Sequence, residues 1–241
     1  MTRRSLTTSR LGGALAGLLG LAVVGGCNVV MTDKPLFTVA DAAGAPPLRP
    51  GVWSFFHEAG CQVDESRPFA EWPSCSGGGI VRAGEIAGHK AGAPPGELER
   101  EPLIIAGGDP RIIQVQVKID VTAGAEATAS GGGEASATAT ATSPKEQPYG
   151  YAGLKPTKFD AQGRLTAFRF WPVLCGPPPP KNAKGEDTAL GTLHPLAGLE
   201  MKPGDAVCTT HSADALRNAA RASQAWDDQR QESHWVRDGE Q

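Results

Sequence analysis

The chain has 241 residues, of which 40% are hydrophobic, 20% charged and 6% aromatic, and its formal net charge is −3 at pH 7. A chain of this length and hydrophobic content forms one ordinary core more readily than two large ones. Its 31 Gly and 20 Pro argue against a long coiled coil, the modest hydrophobic content argues against a polytopic membrane protein, and the negative charge argues against a basic nucleic-acid binder.

The first 26 residues have the layout of an export signal. Arg3, Arg4 and Arg10 precede a glycine-rich apolar run over residues 11–26, and no acidic residue occurs in this region. A membrane-spanning helix needs about 20 predominantly apolar residues, so the shorter run predicts a signal peptide over residues 1–26 rather than a permanent anchor.

The apolar run ends at Val24-Gly25-Gly26-Cys27. This sequence resembles the lipobox of bacterial lipoprotein precursors, in which an aliphatic residue and two small residues precede a cysteine. The resemblance implies that the Cys27 thiol carries diacylglycerol, that the signal is cut before Cys27, and that the new amine is acylated, commonly with palmitate. Several acyl chains give stable membrane anchoring. The alternatives are an ordinary signal peptide with a chance cysteine and an uncleaved anchor.

Two further features concern export and sorting. Arg3-Arg4 resembles the start of a twin-arginine signal, which would imply export in a folded state, and general secretion of the unfolded chain is the alternative. Asn28 follows the predicted lipidated cysteine, whereas an Asp at this position retains lipoproteins of the best-known class in the inner membrane. The resemblance therefore implies an anchor in the outer membrane, with the domain facing the periplasm.

Loss of the three arginines of the signal changes the formal net charge from −3 to −6, which disfavours nucleic acid as a partner. The four cysteines beyond Cys27 form an even set in an oxidising compartment, and three pairings are possible. Nearest neighbours, Cys61 with Cys75 and Cys175 with Cys208, are the predicted disulfides. The rival interpretation is a metal site at Cys208-Thr-Thr-His211, but no Cys-x-x-Cys completes it. We expect no metal and no cofactor.

Residues 27–50 contain four prolines and show no apolar period, which predicts a lipidated flexible tether. Leu36, Phe37 and Leu48 within it are candidates for docking on the domain.

A single disulfide-stabilised domain is predicted over residues 51–236, followed by a tail at 237–241. Within it, residues 112–121 alternate apolar and polar side chains, as in a strand with one buried and one wet face. Further strands are predicted at 51–56, 80–82, 102–106, 206–209 and 234–236, with a hairpin at 158–171 that turns at 160–163. In the hairpin's second strand, Leu165 is predicted on the face opposite Phe168 and Phe170. A low-complexity loop at about 123–147 lacks large side chains and is predicted to be disordered.

One C-terminal helix completes the prediction. Ser212 has the character of an N-cap, and the apolar residues that follow recur at helical spacing as far as Trp226. The predicted fold class is therefore α+β: a mainly antiparallel β-sheet or partly open barrel with one C-terminal helix.

No catalytic motif is present: the five histidines are scattered, and Cys61 is expected to be oxidised. Trp53, Phe55 and Phe56 either fill the core or line a ligand cavity, and core packing is favoured because aromatic residues are scarce. The sequence favours a non-enzymatic envelope lipoprotein that contacts the membrane through its lipid, with another envelope protein or a wall component as a possible partner. A small-ligand carrier with a barrel cavity is the alternative, and a hydrolase or redox enzyme ranks third.

Overall fold

The computed structural model describes residues 28–57, 60–73, 75–90, 96–117, 147–178, 194–202, 207–226 and 232–239. The predicted signal peptide, the lipidation site Cys27, residues 118–146 with almost all of the low-complexity loop, and the last two residues of the tail lie outside these ranges.

The described residues form ten strands and one α-helix, with short 3-10 turns at Val39–Ala42 and Phe69–Glu71. The strands are β1 (Val29–Thr32), β2 (Gly51–His57), β3 (Ser76–Arg82), β4 (Glu85–His89), β5 (Leu98–Ala106), β6 (Arg111–Gln116), β7 (Tyr149–Phe159), β8 (Leu165–Pro172), β9 (Val207–Cys208) and β10 (Glu232–Arg237), and the helix is α1 (Ala213–Trp226). No helix within the described ranges is long and apolar enough to cross a bilayer.

Eight strands close into an antiparallel barrel in the order β2-β3-β4-β5-β6-β7-β8-β10, with β10 returning to β2. The barrel is closed by the pairing of β6 with β7 and by β10, which pairs with β8 on one side and with β2 on the other. His234 of β10 lies opposite both Ala167 and Ser54. The mainly antiparallel fold with one C-terminal helix is as predicted. The partly open barrel is wrong, because β10 pairs on both sides and leaves no free edge at that point.

The barrel has two distinct ends. At the end that we call lower, β2 begins at Gly51 and the β5–β6 and β7–β8 turns lie. At the upper end β6 stops and β7 begins, with Val117 N–H donating to Pro148 O at 2.7 Å. Val117 and Pro148, which flank residues 118–146 on either side, are therefore adjacent at the upper end.

Residues 28–50 pack on the barrel, which corrects the prediction of a flexible tether there. β1 pairs with β7 and with β9, and the chain then crosses the outer face of β6 toward the lower end. Phe37 is 1% exposed and Leu48 is 8% exposed, so the predicted docking of these two side chains is confirmed. The physical reason is that burial of these side chains, together with strand pairing, outweighs the extended bias of the four prolines.

Helix α1 packs on the outside of the barrel against β6, β7 and β8. Ser212 Oγ accepts the Ala215 N–H at 3.2 Å, as expected of the predicted N-cap. Leu216, Ala219 and Ala220 are fully buried, and Trp171 Nε1 donates to Ala220 O at 2.7 Å. Trp226, at the end of the stripe, is only partly buried.

The predicted hairpin is present as β7 and β8, with its turn at Asp160, where Gly163 N–H donates to Asp160 O at 3.0 Å. The prediction that Leu165 faces away from Phe168 and Phe170 is wrong, since all three join one core cluster. The pairing register shifts between Lys158 and Phe159, and such an irregularity lets residues of different parity share a face.

Candidate functional site

Two kinds of side chain line the interior of the barrel, and they lie on different strands. On β2 and β8, Trp53, Phe55, Phe168 and Phe170 are at most 7% exposed. Trp53 lies 5.4 Å from Phe168 between ring centroids, and Phe168 lies 6.2 Å from Phe170. We call these four residues the aromatic side. Trp53 and Phe55 therefore belong to the core, as does Phe56, which packs in the same cluster.

The opposite wall of the interior is less completely packed on β5 and directly after β6, whereas Ile113 and Val115 on β6 are each 4% exposed. Leu103, Ile105 and Val117 contact the same core cluster but remain partly exposed, and we call these three residues the aliphatic side. An inward-facing side chain of a closed barrel reaches solvent only through the interior, an end or a gap in the wall. The aliphatic side is thus an apolar inner surface that solvent reaches.

The ladder between β4 and β5 ends beside the aliphatic side. β4 pairs with β5 from His89 opposite Leu98 down to Glu85 opposite Pro102. Below that point Leu103 N–H donates to Gly84 O at 2.9 Å, and in the described residues β5 continues to Ala106 with β6 as its only ladder partner. The short β3–β4 hairpin therefore leaves the lower part of β5 without a ladder partner on one side, and the 3-10 turn at Val39–Ala42 also packs against β5.

Two carboxylates share the inner face of β5. Glu99 pairs with Gly88, and Glu101 pairs with Ile86, whose side chain lies in the core cluster. Because side chains alternate along a strand, Glu99 and Glu101 face the same way as Leu103. Glu101 is only 4% exposed, and both glutamates have interactions in the structure. The inner wall is thus apolar with a small number of polar groups.

The lower end of the barrel is covered by the chain that enters β2. Leu48 bridges to Leu165, and Trp53 Nε1 donates to Arg49 O at 2.8 Å. The Arg49 guanidinium lies 3.5 Å from the centroid of Trp235, whose Nε1 donates to Pro50 O at 3.0 Å. These contacts cover the lower end of the barrel beside β2, β8 and β10.

The polar clusters outside the barrel hold structure together. His234 Nε2 lies 3.1 Å from Glu65 Oε2, and Arg237 donates to the carbonyl oxygens of Glu65 and Arg67. These bonds fix the β2–β3 connection, which Cys61–Cys75 also closes, onto β10. His89 stacks on Phe69 with ring centroids 4.5 Å apart, and burial lowers the pKa of its imidazole. Among the described residues, no group of three His, Cys, Asp or Glu side chains is placed to hold a metal ion.

The predicted cysteine pairs are found. Cys61–Cys75 and Cys175–Cys208 each have a Cα–Cα distance of 5.8 Å. Cys208 is thus not a thiolate that His211 can join in binding a metal. Cys27 lies outside the described residues.

Two buried polar side chains, Glu101 and Gln114, are not predicted by the sequence pattern. The sequence places Glu101 just before a predicted strand at 102–106, whereas β5 begins at Leu98, so its inward direction was not visible. Gln114 was assigned to the wet face of its strand but is 3% exposed. The alternation of apolar and polar residues places Gln114 on the outer face of the strand, but it does not show that the N-terminal segment covers this face.

Comparison of the chain with models of known protein families, with curated proteins and with solved structures found no match in any of the three.

Proposed function

We propose that this protein is a non-enzymatic, lipid-anchored envelope protein that binds a small, mainly apolar molecule inside its barrel. The observation that carries the proposal is the partly exposed aliphatic side on the inner wall of a closed barrel. An eight-stranded barrel is just wide enough either to be filled by side chains or to hold one small ligand. Here the aromatic side fills its part of the interior, and the aliphatic side leaves apolar surface accessible.

The chemistry of the inner wall also fits a ligand site. Small-molecule sites are mostly apolar with a few placed polar groups. Leu103, Ile105 and Val117 supply apolar surface, and Glu101 supplies a buried carboxylate two residues from Leu103. The lipid anchor, the outer membrane and the periplasmic orientation are supported by the lipobox resemblance of the sequence.

Binding to another envelope protein or a wall component, which the sequence favoured, has less support. Interaction patches on protein surfaces expose several hundred Å² of contiguous apolar area. The large hydrophobic side chains exposed in the described part of the chain are Val39 and Phe159, at 81% and 51%. Two isolated side chains do not make such a patch.

The test is a binding titration with the neutral fluorescent probe N-phenyl-1-naphthylamine, using the mature chain with Cys27→Ser so that no acyl chain competes. We expect saturable binding of one probe per chain with an increase in fluorescence. Leu103→Trp adds bulk to the aliphatic side and is expected to weaken binding at least tenfold.

The matched control is Arg100→Trp, on the outward face of the same strand, which we expect to bind the probe like the parent chain. Circular dichroism shows whether both variants stay folded. No saturable binding by the parent chain, or equal weakening by the two substitutions, would contradict a ligand site in the barrel.

A further inference from the structure

The residues that directly follow the predicted cut before Cys27 are buried in the folded domain. Asn28 is 6% exposed, and its side-chain Nδ2 donates to Gly176 O at 2.9 Å. Its carbonyl oxygen accepts the Cys175 N–H, also at 2.9 Å. The described chain is therefore paired with the domain from its first residue.

Strand β1 continues this pairing. Val30 N–H donates to Val173 O at 2.9 Å, and Val29 and Val30 pair in parallel with Val207 and Cys208 of β9. Val29 and Val30 are 6% and 0% exposed, and β1 pairs further along with β7. Both the side chains and the backbone of this strand are thus engaged on the domain.

The docked strand also completes one of the core clusters. Val30 packs in the same cluster as Tyr151, Cys175 and Cys208, which are at most 1% exposed. Thr32 Oγ1 lies 2.5 Å from the Tyr151 hydroxyl. Because undocking of β1 breaks these contacts and brings apolar side chains into water, the docked position is favoured once the domain has folded.

A peptidase imposes the opposite requirement on the same residues. It cuts chain that is exposed and free of internal hydrogen bonds, and a folded substrate is cut only through its locally opened state. Consecutive Cα atoms are about 3.8 Å apart, so a cleft that holds the bond before Cys27 also takes Asn28 and Val29. These residues cannot lie in the cleft and on the domain at the same time.

We propose that the signal peptide is removed before β1 docks on the barrel. The cut hydrolyses the bond between Gly26 and Cys27 with one water molecule, which leaves a carboxylate on Gly26 and an amine on Cys27. Strand β1 docks afterwards and completes the core cluster. This inference rests on the proposed lipid anchor, because it takes Cys27 as the new N-terminus.

The proposed order also bears on the route of export. A chain exported in its folded state reaches the peptidase with β1 docked, whereas an unfolded chain presents residues 27–32 in extended form. The order therefore favours general secretion over the folded export that a twin-arginine signal at Arg3-Arg4 would imply.

The test measures how fast the purified full-length precursor, folded and oxidised in detergent, is cut by an extract of bacterial membranes that contains the lipoprotein-processing enzymes. Mass spectrometry follows the chains that begin at Cys27, and hydrogen exchange at the Val30 amide reports whether β1 is docked. Val30→Asp places a charge in the core cluster, and we expect this precursor to be cut at least tenfold faster than the parent. The matched control is Val39→Asp, at an 81% exposed position of the same N-terminal segment, which should be cut as slowly as the parent.

A second variant leaves the domain itself unchanged. Ten Gly and Ser residues inserted between Cys27 and Asn28 separate the cut from β1, so this precursor should be cut at least tenfold faster than the parent while its Val30 amide stays protected. The same insertion between residues 130 and 131 should leave the rate unchanged.

The outcomes separate the order of events from the anchor. A parent precursor with a protected Val30 amide that is cut as fast as the chain with the insertion after Cys27 would overturn the order alone. A Val30 amide that is unprotected in the parent precursor and becomes protected on cutting would support the order. No cut before Cys27 in any of the chains would overturn the anchor and the order together.

Discussion

The two sides of the barrel interior differ in chemistry and in exposure. The aromatic side, on β2 and β8, brings large rings from distant parts of the chain into contact and is closed to solvent. The aliphatic side, on β5 and directly after β6, carries smaller side chains beside the end of the β4–β5 ladder and stays partly exposed. One barrel thus separates the residues that hold it together from the surface that we propose as the ligand site.

The largest expected effect is on the free energy of unfolding when the aromatic side is truncated. Phe168 is 1% exposed and contacts Trp53, Phe55 and Phe170. Phe168→Ala leaves a cavity and is expected to cost about 3–5 kcal/mol. Leu103→Ala, on the partly exposed aliphatic side, is expected to cost less than about 2 kcal/mol. Urea unfolding measures both, and equal losses would contradict the distinction between the two sides.

A second difference lies behind the aliphatic side, where the N-terminal segment covers β6. Gln114 Oε1 accepts the N–H groups of Leu36 and Phe37, and Nε2 donates to Phe37 O, each at 2.9 Å. Gln114→Ala leaves these buried backbone groups unpaired and is expected to cost about 2–3 kcal/mol.

Hydrogen exchange locates this effect, because the amides of Leu36 and Phe37 are expected to lose protection in the Gln114→Ala variant. Gln116→Ala on the same strand, at a partly exposed position, serves as the control. If both variants show the same exchange at Phe37, Gln114 does not hold the N-terminal segment.

Gln114 also illustrates the difference between the parts of the fold that local sequence patterns predict and the parts that depend on contacts between distant residues. Alternation at Ile113 and Val115 predicted a half-buried strand correctly, and the Ser212 cap and the apolar stripe predicted the helix. Both signals are local, since they depend on residues within one element. The burial of Gln114 depends on Phe37, which is 77 residues away, and no local pattern encodes that contact.

The same reasoning applies to the candidate site. Trp53 and Phe55 were predicted as core residues from their type, and the structure agrees. The accessible aliphatic side depends on where β4 stops pairing with β5, and barrel closure depends on β10, which follows the helix. These are properties of strand register between distant segments, so the sequence alone left a carrier and a partner-binding protein both open.

A smaller effect is expected from the insertion that joins β6 and β7 of the aliphatic side. Gln116 lies opposite Tyr149, so the two strands already meet where the insertion begins and ends. Replacing residues 119–146 with Asn-Gly shortens a loop whose closure costs about 0.6 kcal/mol per doubling of length, so stability is expected to rise by up to ~2 kcal/mol. Differential scanning calorimetry measures the melting temperature, and a large drop would show that the insertion contributes to the packing of this side.

The smallest expected effect concerns the pH dependence of the free energy of unfolding. On the outer face of the barrel, β6 carries the neutral side chain of Gln114, whereas β4 carries the titratable side chain of His89. Burial disfavours the imidazolium of His89, so its pKa in the folded protein lies below the ordinary 6.5. Between these two pKa values the unfolded chain binds more protons than the folded one. The contribution of His89 is therefore fully present above pH 6.5 and is lost as the pH falls through the folded pKa.

His89→Phe is expected to remove this part of the pH dependence while keeping a ring against Phe69. The measurement is the urea midpoint from pH 8 to pH 5 for the parent chain, His89→Phe and the control His211→Gln, at an exposed position. The parent and the control should lose stability together as the pH falls, and His89→Phe should lose less. Since His89 is only half-buried, water screens its charge and the difference stays small. If the urea midpoints of all three chains fall identically with pH, His89 does not make the outer face of β4 more sensitive to acid than that of β6.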